Sequence, residues 1–258
     1  EWRLVREEAH PGPRNMSLDS VAAETVADGG PRTVRVYRWE PSTLSLGYAQ
    51  ESESVDWVFC EREGITATRR PTGGGGIYHD SFGDISYSIV VPADEVPGDL
   101  MESYSLLLDP IFDAFDRMGV DAAIAEEPKP ALHQPACYLR ALNPAHDVVV
   151  AGRKISGNAQ YRQKDAVIQH GSITFARETE THLATFADPG VTPDEFEARV
   201  TSVRAESGIG REEAVAALEA ALEAWADADP GTWTEAELER ADEIAEERFS
   251  SHDWTRRL

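Results

Sequence analysis

The sequence predicts an α+β fold, a mixed and largely antiparallel sheet flanked by helices. Short β-rich runs crowd its first two thirds, amphipathic helical patterns gather towards its end, and 258 residues suffice for one sizeable core. Near the N-terminus Asn15 is placed to cap a helix over residues 16–26. Its Leu18, Val21, Ala22 and Val26 recur at helical spacing, and Gly29 and Gly30 end it. Residues 33–39, 44–48 and 65–69 read as strands, rich in β-branched and aromatic residues, and 85–91 as a buried strand. Between them Trp57-Val58-Phe59-Cys60 reads as core. Residues 100–118 form a helix with Leu107, Leu108, Ile111, Phe112 and Phe115 inward, Pro110 as a kink site and Gly119 as its stop.

The stretch 122–146 is proline-rich and weakly patterned, which marks a functional loop. Beyond it Val148–Val150, a turn at Ala151-Gly152, and β-prone pieces at 159–162 and 167–175 make a meander. Thr192-Pro193-Asp194-Glu195 and Thr234-Glu235-Ala236-Glu237 both have the outline of a capping box. They announce a helical end in which Val215, Leu218, Leu222 and Trp225 form one stripe and Leu238, Ala241, Ile244 and Phe249 the matching one. No repeat or linker divides the chain, so 1–258 reads as one domain with 190–258 as its C-terminal helical part.

Composition narrows the function. Asp and Glu number 47 against 24 Lys and Arg, for a formal charge of −23, so the surface repels phosphate backbones and nucleic acid is a poor partner. Of the 24 bases only Lys129, Lys154 and Lys164 are lysines. Such an acidic, lysine-poor surface suits a salt-rich, halophilic cytoplasm, where ions screen self-repulsion; an ordinary acidic protein fits it as well. No apolar run approaches the roughly 20 residues a membrane span needs. The first fourteen residues carry no signal-like core, so the expected location is cytoplasmic. Cys60 and Cys137 are too few for a disulfide framework or a zinc site.

Two constellations can carry chemistry. The first, RRPTGGGGIYHD, runs from Arg69 to Asp80. Without Cβ atoms, Gly73, Gly74, Gly75 and Gly76 let backbone N–H groups approach an anionic ligand, and Arg70, His79 and Asp80 flank them. The run matches neither of the common nucleotide fingerprints, and alone it is equally consistent with a turn. The second, GRKISGNAQ, holds Lys154 with Ser156, Gly157, Asn158 and Ala159, and is followed by His170-Gly171. In a chain that avoids lysine, Lys154 suggests a role for a compact point charge, such as steadying the charge that develops in acyl transfer; alone, it is also an ordinary surface lysine.

Together the two blocks resemble the RRxxGGGxxxHD and GRKxxGxAx signatures of the lipoate–protein ligase A and octanoyltransferase family. Weaker likeness extends over 16–175, including Trp39, Leu46-Gly47 and Asp147, and tails off towards Trp254. The GRGRxGR loop of the biotin ligases, which share the fold, is absent. The resemblance implies a biotin/lipoyl protein ligase-like catalytic domain that attaches a lipoyl or octanoyl group to one lysine of an acceptor. Acceptors in this family are the lipoyl domains of 2-oxoacid dehydrogenase complexes and the glycine cleavage H protein. In the ligase branch, the leading reading, lipoate and ATP with Mg²⁺ first form lipoyl-AMP. By motif, Arg70 and Gly73 to Gly76 then line the acyl tunnel and approach the adenylate, braced by His79 and Asp80. Lys154 contacts the acyl carbonyl and the phosphate, and Asp147 lies near the phosphate or Mg²⁺. Ser156, Gly157, Asn158 and Ala159 lie along the ligand, with His170 and Gly171 behind them.

The alternative branch needs no ATP or metal. It moves octanoate from acyl carrier protein through a cysteine, and Pro135-Ala136-Cys137-Tyr138 resembles the PxCF segment that carries this nucleophile, with Tyr in place of Phe. Two-domain ligases continue past the point corresponding to Trp254 with an accessory domain, whereas this sequence stops at Leu258. The resemblance therefore implies either a separate accessory subunit or an acyl group that arrives already activated. A third reading is a non-catalytic nucleotide- or lipoyl-binding module; a pure binder has little use for a charge aimed at a reacting carbonyl.

Overall fold

In the computed structural model, which describes residues 1–142, 146–163 and 165–258, strands form two sheets. Lys164 and residues 143–145 of the expected functional loop lie outside the described residues. The strands are β1 (Trp2–His10), β2 (Arg32–Trp39), β3 (Thr43–Leu46), β4 (Thr66–Arg69), β5 (Ile77–His79), β6 (Asp84–Pro92), β7 (Ala123–Ile124), β8 (Val148–Val150), β9 (Arg153–Gln163), β10 (Ala166–Thr174) and β11 (Asp229–Pro230). The large sheet has the order β11-β1-β2-β6-β10-β9-β8-β7, and the small one β4-β3-β5. Among the described strand pairs, only β11-β1 and β1-β2 in the large sheet and β3-β4 in the small one run parallel, so the sheets are mixed and the large one is mostly antiparallel, as predicted.

Alternation along the central strands explains the layers. Val34, Val36, Ile89 and Val167 point to one face of the large sheet, and Tyr37, Trp39, Val90 and Ile168 to the other. Both faces are covered, which is why β6 and β10 read as near-continuous apolar runs. Against the first face pack α3 (Leu100–Arg117) and α7 (Arg211–Ala226), joined through Leu107, Leu108, Ile111, Phe115, Leu218 and Leu222. Against the second pack α1 (Gly12–Ala27) and α8 (Glu235–Ile244), with Phe249 from a following π turn. Each such side chain contributes about 1.5–3 kcal/mol by leaving water. The small sheet packs with α2 (Trp57–Arg62), α4 (Thr179–Ala184) and α5 (Pro193–Arg199) around Leu44, Leu46, Phe186 and Phe196. Short helices α6 (Val203–Ser207) and α9 (His252–Thr255) complete the chain.

Several local readings change. Asn15 does not cap α1, which begins after Pro11. Asn15 is buried inside the helix, where its amide donates to the carbonyls of His10 and Arg38 at the ends of β1 and β2, and accepts from Arg35. A short polar side chain is worth more there than at the helix end, because buried carbonyls need partners. Helix α3 runs through Pro110. Of the stretch read as core, Cys60 is buried and its thiol is pushed up to about 11 by burial, whereas Val58 points outward. Strand β1 was not legible, because its Glu7 and Glu8 look like a solvated tail. In the fold they accept from Arg211 and Trp233 at the far end of the sequence.

Both capping boxes form. At the second, burial alone raises the Glu237 carboxyl. Two hydrogen bonds from Arg3, at 2.6 and 2.8 Å, and the Thr234 backbone N–H outweigh this and bring it to about 2. A carboxyl depressed in the folded state contributes stability that is present above its unfolded value near 4.5 and lost as pH falls through about 2. Glu237→Gln is therefore expected to cost about 1–3 kcal/mol at pH 7, a deficit that shrinks below about pH 4.5 and is gone only as pH falls through about 2, measured by urea titrations across this range.

Candidate active site

The site forms where the meander, the glycine loop and the proline-rich segment meet. Strands β9 and β10 pair antiparallel with Asn158 opposite Gly171 and Ala159 opposite His170, which sets both halves of the second motif side by side. Residues 70–76 arrive from β4, and a single turn of 3₁₀ helix, Cys137–Leu139, docks beside them. Between them lies a cavity of about 760 Å³, bordered by Arg70, Gly73, Gly74, His79, Cys137, Asp147, Lys154, Gly157, Asn158, Ala159, His170 and Gly171. The two motifs, some eighty positions apart, thus converge on one space.

Lys154 is almost fully buried, and its ammonium has three partners. It donates to Asp147 Oδ1 at 2.7 Å, to the Cys137 carbonyl at 3.2 Å, and lies 3.8 Å from Cys137 Sγ. Burial pulls its pKa down, but the charges of the Cys137 sulfur and Asp147 outweigh burial and hold it above the ordinary lysine value. Tyr138, the departure from the PxCF pattern, is accommodated: its ring lies under the Lys154 ammonium and its hydroxyl donates to the Ser172 carbonyl at 3.0 Å. Gly157 lets the sulfur sit this close, since a Cβ there would lie 3.2 Å from Cys137 Sγ.

Other expected residues have different places. Arg70 borders the cavity, but its five N–H groups are matched within the protein: by the Ser45 carbonyl and hydroxyl, Thr72 Oγ1, and the carbonyls of Gly73 and Gly75. It shapes the glycine loop and has no N–H left over for an adenylate. Gly75 and Gly76 do not line the cavity; they dock the cysteine segment. Gly76 N donates to the Pro135 carbonyl at 2.6 Å, and Cys137 N donates to the Gly76 carbonyl at 2.8 Å. A Cβ on Gly75 would lie 2.5 Å from the Pro135 oxygen and 2.7 Å from Cys137 N. Gly75→Ala is therefore expected to cost about 1–3 kcal/mol and to change the rate at which Cys137 is alkylated. Gly98→Ala, where nothing lies within 4 Å, serves as the control in the same urea and alkylation measurements.

Asp80 also lies off the cavity; it accepts from the Phe82 and Gly83 amides and braces the turn after β5. Ser156, on β9, is fully buried and does not border the cavity; its hydroxyl donates to Asn158 Oδ1. His79 stacks on Trp39 at 4.0 Å, with Nδ1 facing Asp84 and Nε2 facing the Ser45 hydroxyl. Burial lowers its pKa, so the neutral ring donates from Nδ1 and accepts at Nε2. The His170 ring lies between Asp19, 3.2 Å from Nδ1, and Thr72 Oγ1, 2.8 Å from Nε2. Asp147, assigned to Mg²⁺ by the resemblance, instead faces Lys154, and the described residues hold no group of three His, Cys, Asp or Glu suited to a metal ion. That donor set does not fit a resident Mg²⁺.

Sequence reasoning missed several residues bordering the cavity. Tyr104 and His146 stand with ring centroids 5.1 Å apart, and Gln134 and Arg140 flank Cys137. Arg140, three positions after the cysteine on the same turn, was the one with a signal to find.

The family model of the lipoyl protein ligase A/B catalytic domain matches residues 11–223. The octanoyltransferase LipM of Geobacillus kaustophilus is 32% identical over an alignment covering 98% of this chain and 97% of that one. That of Anoxybacillus flavithermus is 35% identical over 73% and 70%. Among solved structures, lipoate–protein ligase A bound with ATP superposes with a TM-score of 0.82 at 23% identity, covering 99% of this chain and 98% of the other. The bi-partite lipoate protein ligase of Thermoplasma acidophilum gives 0.82 at 22%, covering 99% and 96%. At that identity the structural likeness is one of fold. With the model spanning most of its length, this chain belongs to the lipoyl protein ligase A/B catalytic domain family and is an enzyme of lipoyl or octanoyl transfer.

Proposed function

We propose that the chain is an octanoyltransferase that works through Cys137 and needs no nucleotide, the reading that stood second on the sequence alone. The observation that carries it is the ammonium of Lys154, buried and 3.8 Å from Cys137 Sγ at the wall of the acyl-sized cavity. A cation at this distance can steady the negative charge that develops on sulfur and on the leaving group during acyl transfer. The name shared by the curated relatives supports the same reading. The full use of Arg70 within the loop and the engagement of Asp147 by Lys154 weigh against a site built around an adenylate with Mg²⁺.

In this reading the Cys137 thiolate attacks the carbonyl of an octanoyl thioester borne by acyl carrier protein. The new C–S bond forms and the carrier's C–S bond breaks. The carrier thiolate takes a proton from the Lys154 ammonium and departs as a thiol. The neutral amine of the acceptor lysine then attacks the Cys137 thioester, the C–N bond forms, the thiolate leaves, and Lys154 recovers its proton from the attacking nitrogen. The acceptor is a lysine of a lipoyl domain or of the glycine cleavage H protein.

The test supplies octanoyl carrier protein and an acceptor domain without nucleotide, and in parallel lipoate with ATP and Mg²⁺. Acylated acceptor in the first mixture, and only background in the second, is the expected result. Acylation that requires ATP would overturn the proposal.

A further inference from the structure

Arg70 grips the glycine loop and is itself held from behind. Its Nη2 donates to the carbonyls of Gly73 and Gly75 at 3.1 and 2.9 Å, so the loop bends around one guanidinium nitrogen. On the other side Nη1 donates to the Ser45 hydroxyl at 2.7 Å, and Nε to the Thr72 hydroxyl at 3.3 Å. Behind each hydroxyl stands a histidine, and behind each histidine a carboxylate. Ser45 Oγ lies 2.7 Å from His79 Nε2, and His79 Nδ1 lies 3.0 Å from Asp84 Oδ2. Thr72 Oγ1 lies 2.8 Å from His170 Nε2, and His170 Nδ1 lies 3.2 Å from Asp19 Oδ2. All of these side chains are buried, and they come from α1, β3, β5, β6, β10 and the segment after β4.

The sense of each bond follows from what each group can do. A guanidinium only donates, so a hydroxyl that accepts from Arg70 has its own hydrogen free for the ring nitrogen. An ionised carboxylate only accepts, so the ring nitrogen facing it carries a proton. Donors therefore point one way along both chains, from a buried cation to a buried anion, and each bond polarises the next. The far ends are fixed as well. Asp84 accepts from Ser86 and Ser172, and Asp19 accepts from Ser88 with Arg35 beside it at 3.6 Å. Both nitrogens of each ring are engaged inside the protein, so neither ring keeps one for an acyl donor or acceptor.

We propose that these two Asp–His–hydroxyl chains are positioning devices that converge on Arg70 and hold the glycine loop in the shape that seats the Cys137 segment. The step from loop to cysteine is short. Gly76, next to the Gly75 carbonyl that Arg70 binds, donates to the Pro135 carbonyl and accepts from the Cys137 backbone N–H. Removing either hydroxyl leaves Arg70 with four of its five contacts, whereas removing both frees the side of the guanidinium that faces the histidines. The two chains therefore back each other up. The consequence for turnover rests on the transferase reading.

The test pairs Ser45→Ala with Thr72→Val, each of which deletes one hydroxyl with little change in volume. Each single variant is expected to lower kcat for octanoyl transfer about threefold with KM unchanged, and the double variant about a hundredfold, well beyond the product of the singles. Alkylation of Cys137 by iodoacetamide should change in the same order, and Thr72→Ser in the Ser45→Ala background should return the rate to that of Ser45→Ala alone. A double variant whose loss in kcat does not exceed the product of the singles overturns the proposal. So does one that loses only stability while kcat and alkylation stay at wild-type values. Nitrogen-15 magnetic resonance of the histidine rings in the wild-type chain requires neither a variant that folds nor an acyl donor. The rings of His79 and His170, assigned by their response to Ser45→Ala and Thr72→Val, should carry the proton on Nδ1 and accept at Nε2. A proton on Nε2 of either ring overturns the proposal. Alkylation and ring spectra are read without turnover, so their failure sinks the positioning chains alone, whereas wild-type acylation that requires ATP sinks the transferase reading.

Discussion

Cys137→Ser is expected to lower octanoyl transfer by at least about a thousandfold while leaving the fold intact. Cys137 borders the cavity and is only partly buried, packed at the edge of the core around the small sheet, so the slightly smaller hydroxyl fits the same space. What it removes is the thiolate. A serine hydroxyl beside an ammonium remains protonated at neutral pH and lacks the general base that activates a catalytic serine. The measurement is steady-state transfer together with the intact mass of the chain after exposure to octanoyl thioester. The wild-type chain should gain one octanoyl group and the variant none. Cys60 supplies an internal control, because its buried thiol is pushed up to about 11 and has no path to the donor. An adduct that persists in Cys137→Ser, or transfer within tenfold of wild type, would sink the nucleophile assignment.

Replacing Lys154 is expected to be nearly as costly and to show a second, separable effect. Lys154→Met should lower transfer by about 10²–10⁴-fold, since the leaving thiolate loses its proton donor and the attacking amine its acceptor. Lys154→Arg should not restore activity, because a planar fork that stays charged can neither occupy the point position between Asp147 and Cys137 nor give up its proton. The same Lys154→Met change removes the ammonium that pairs with the buried carboxylate of Asp147 at 2.7 Å and is expected to destabilise the chain by up to about 3–5 kcal/mol. The double variant Lys154→Met/Asp147→Asn should recover much of that stability while remaining inactive. Thermal unfolding and transfer assays on the three variants distinguish the roles. An inactive chain that regains activity with its stability would show that Lys154 only supports the fold.

The pair also has a pH signature. A lysine raised in the folded state contributes stability that is fully present below its unfolded value and is lost as pH rises through the folded one. The contribution of Lys154 is thus present throughout the neutral range, and on the basic side it is lost only above the ordinary lysine value.

Much of this molecule was legible in one dimension, and the reason is local chemistry. The place of α7 followed from its apolar stripe, and the two capping boxes from Thr and Glu at fixed spacing. The β8–β9–β10 meander followed from branched residues broken by Ala151-Gly152. Lys154 stood out because the composition avoids lysine. Strand β1 and the place of Asn15 were not legible, since their partners, Arg211, Trp233 and Arg35, are brought to them only by folding.

The site divides in the same way. Residue types and order along the chain determined the family resemblance and the candidate groups, because motif spacing is a property of sequence. Their division of labour was decided only in three dimensions. Arg70 is turned inward onto five acceptors, Gly75 and Gly76 grip the cysteine segment, and Asp147 meets Lys154. Hydrogen-bond donors and charges act over a few ångströms, and which groups come within that range is set by how strands pair and loops dock.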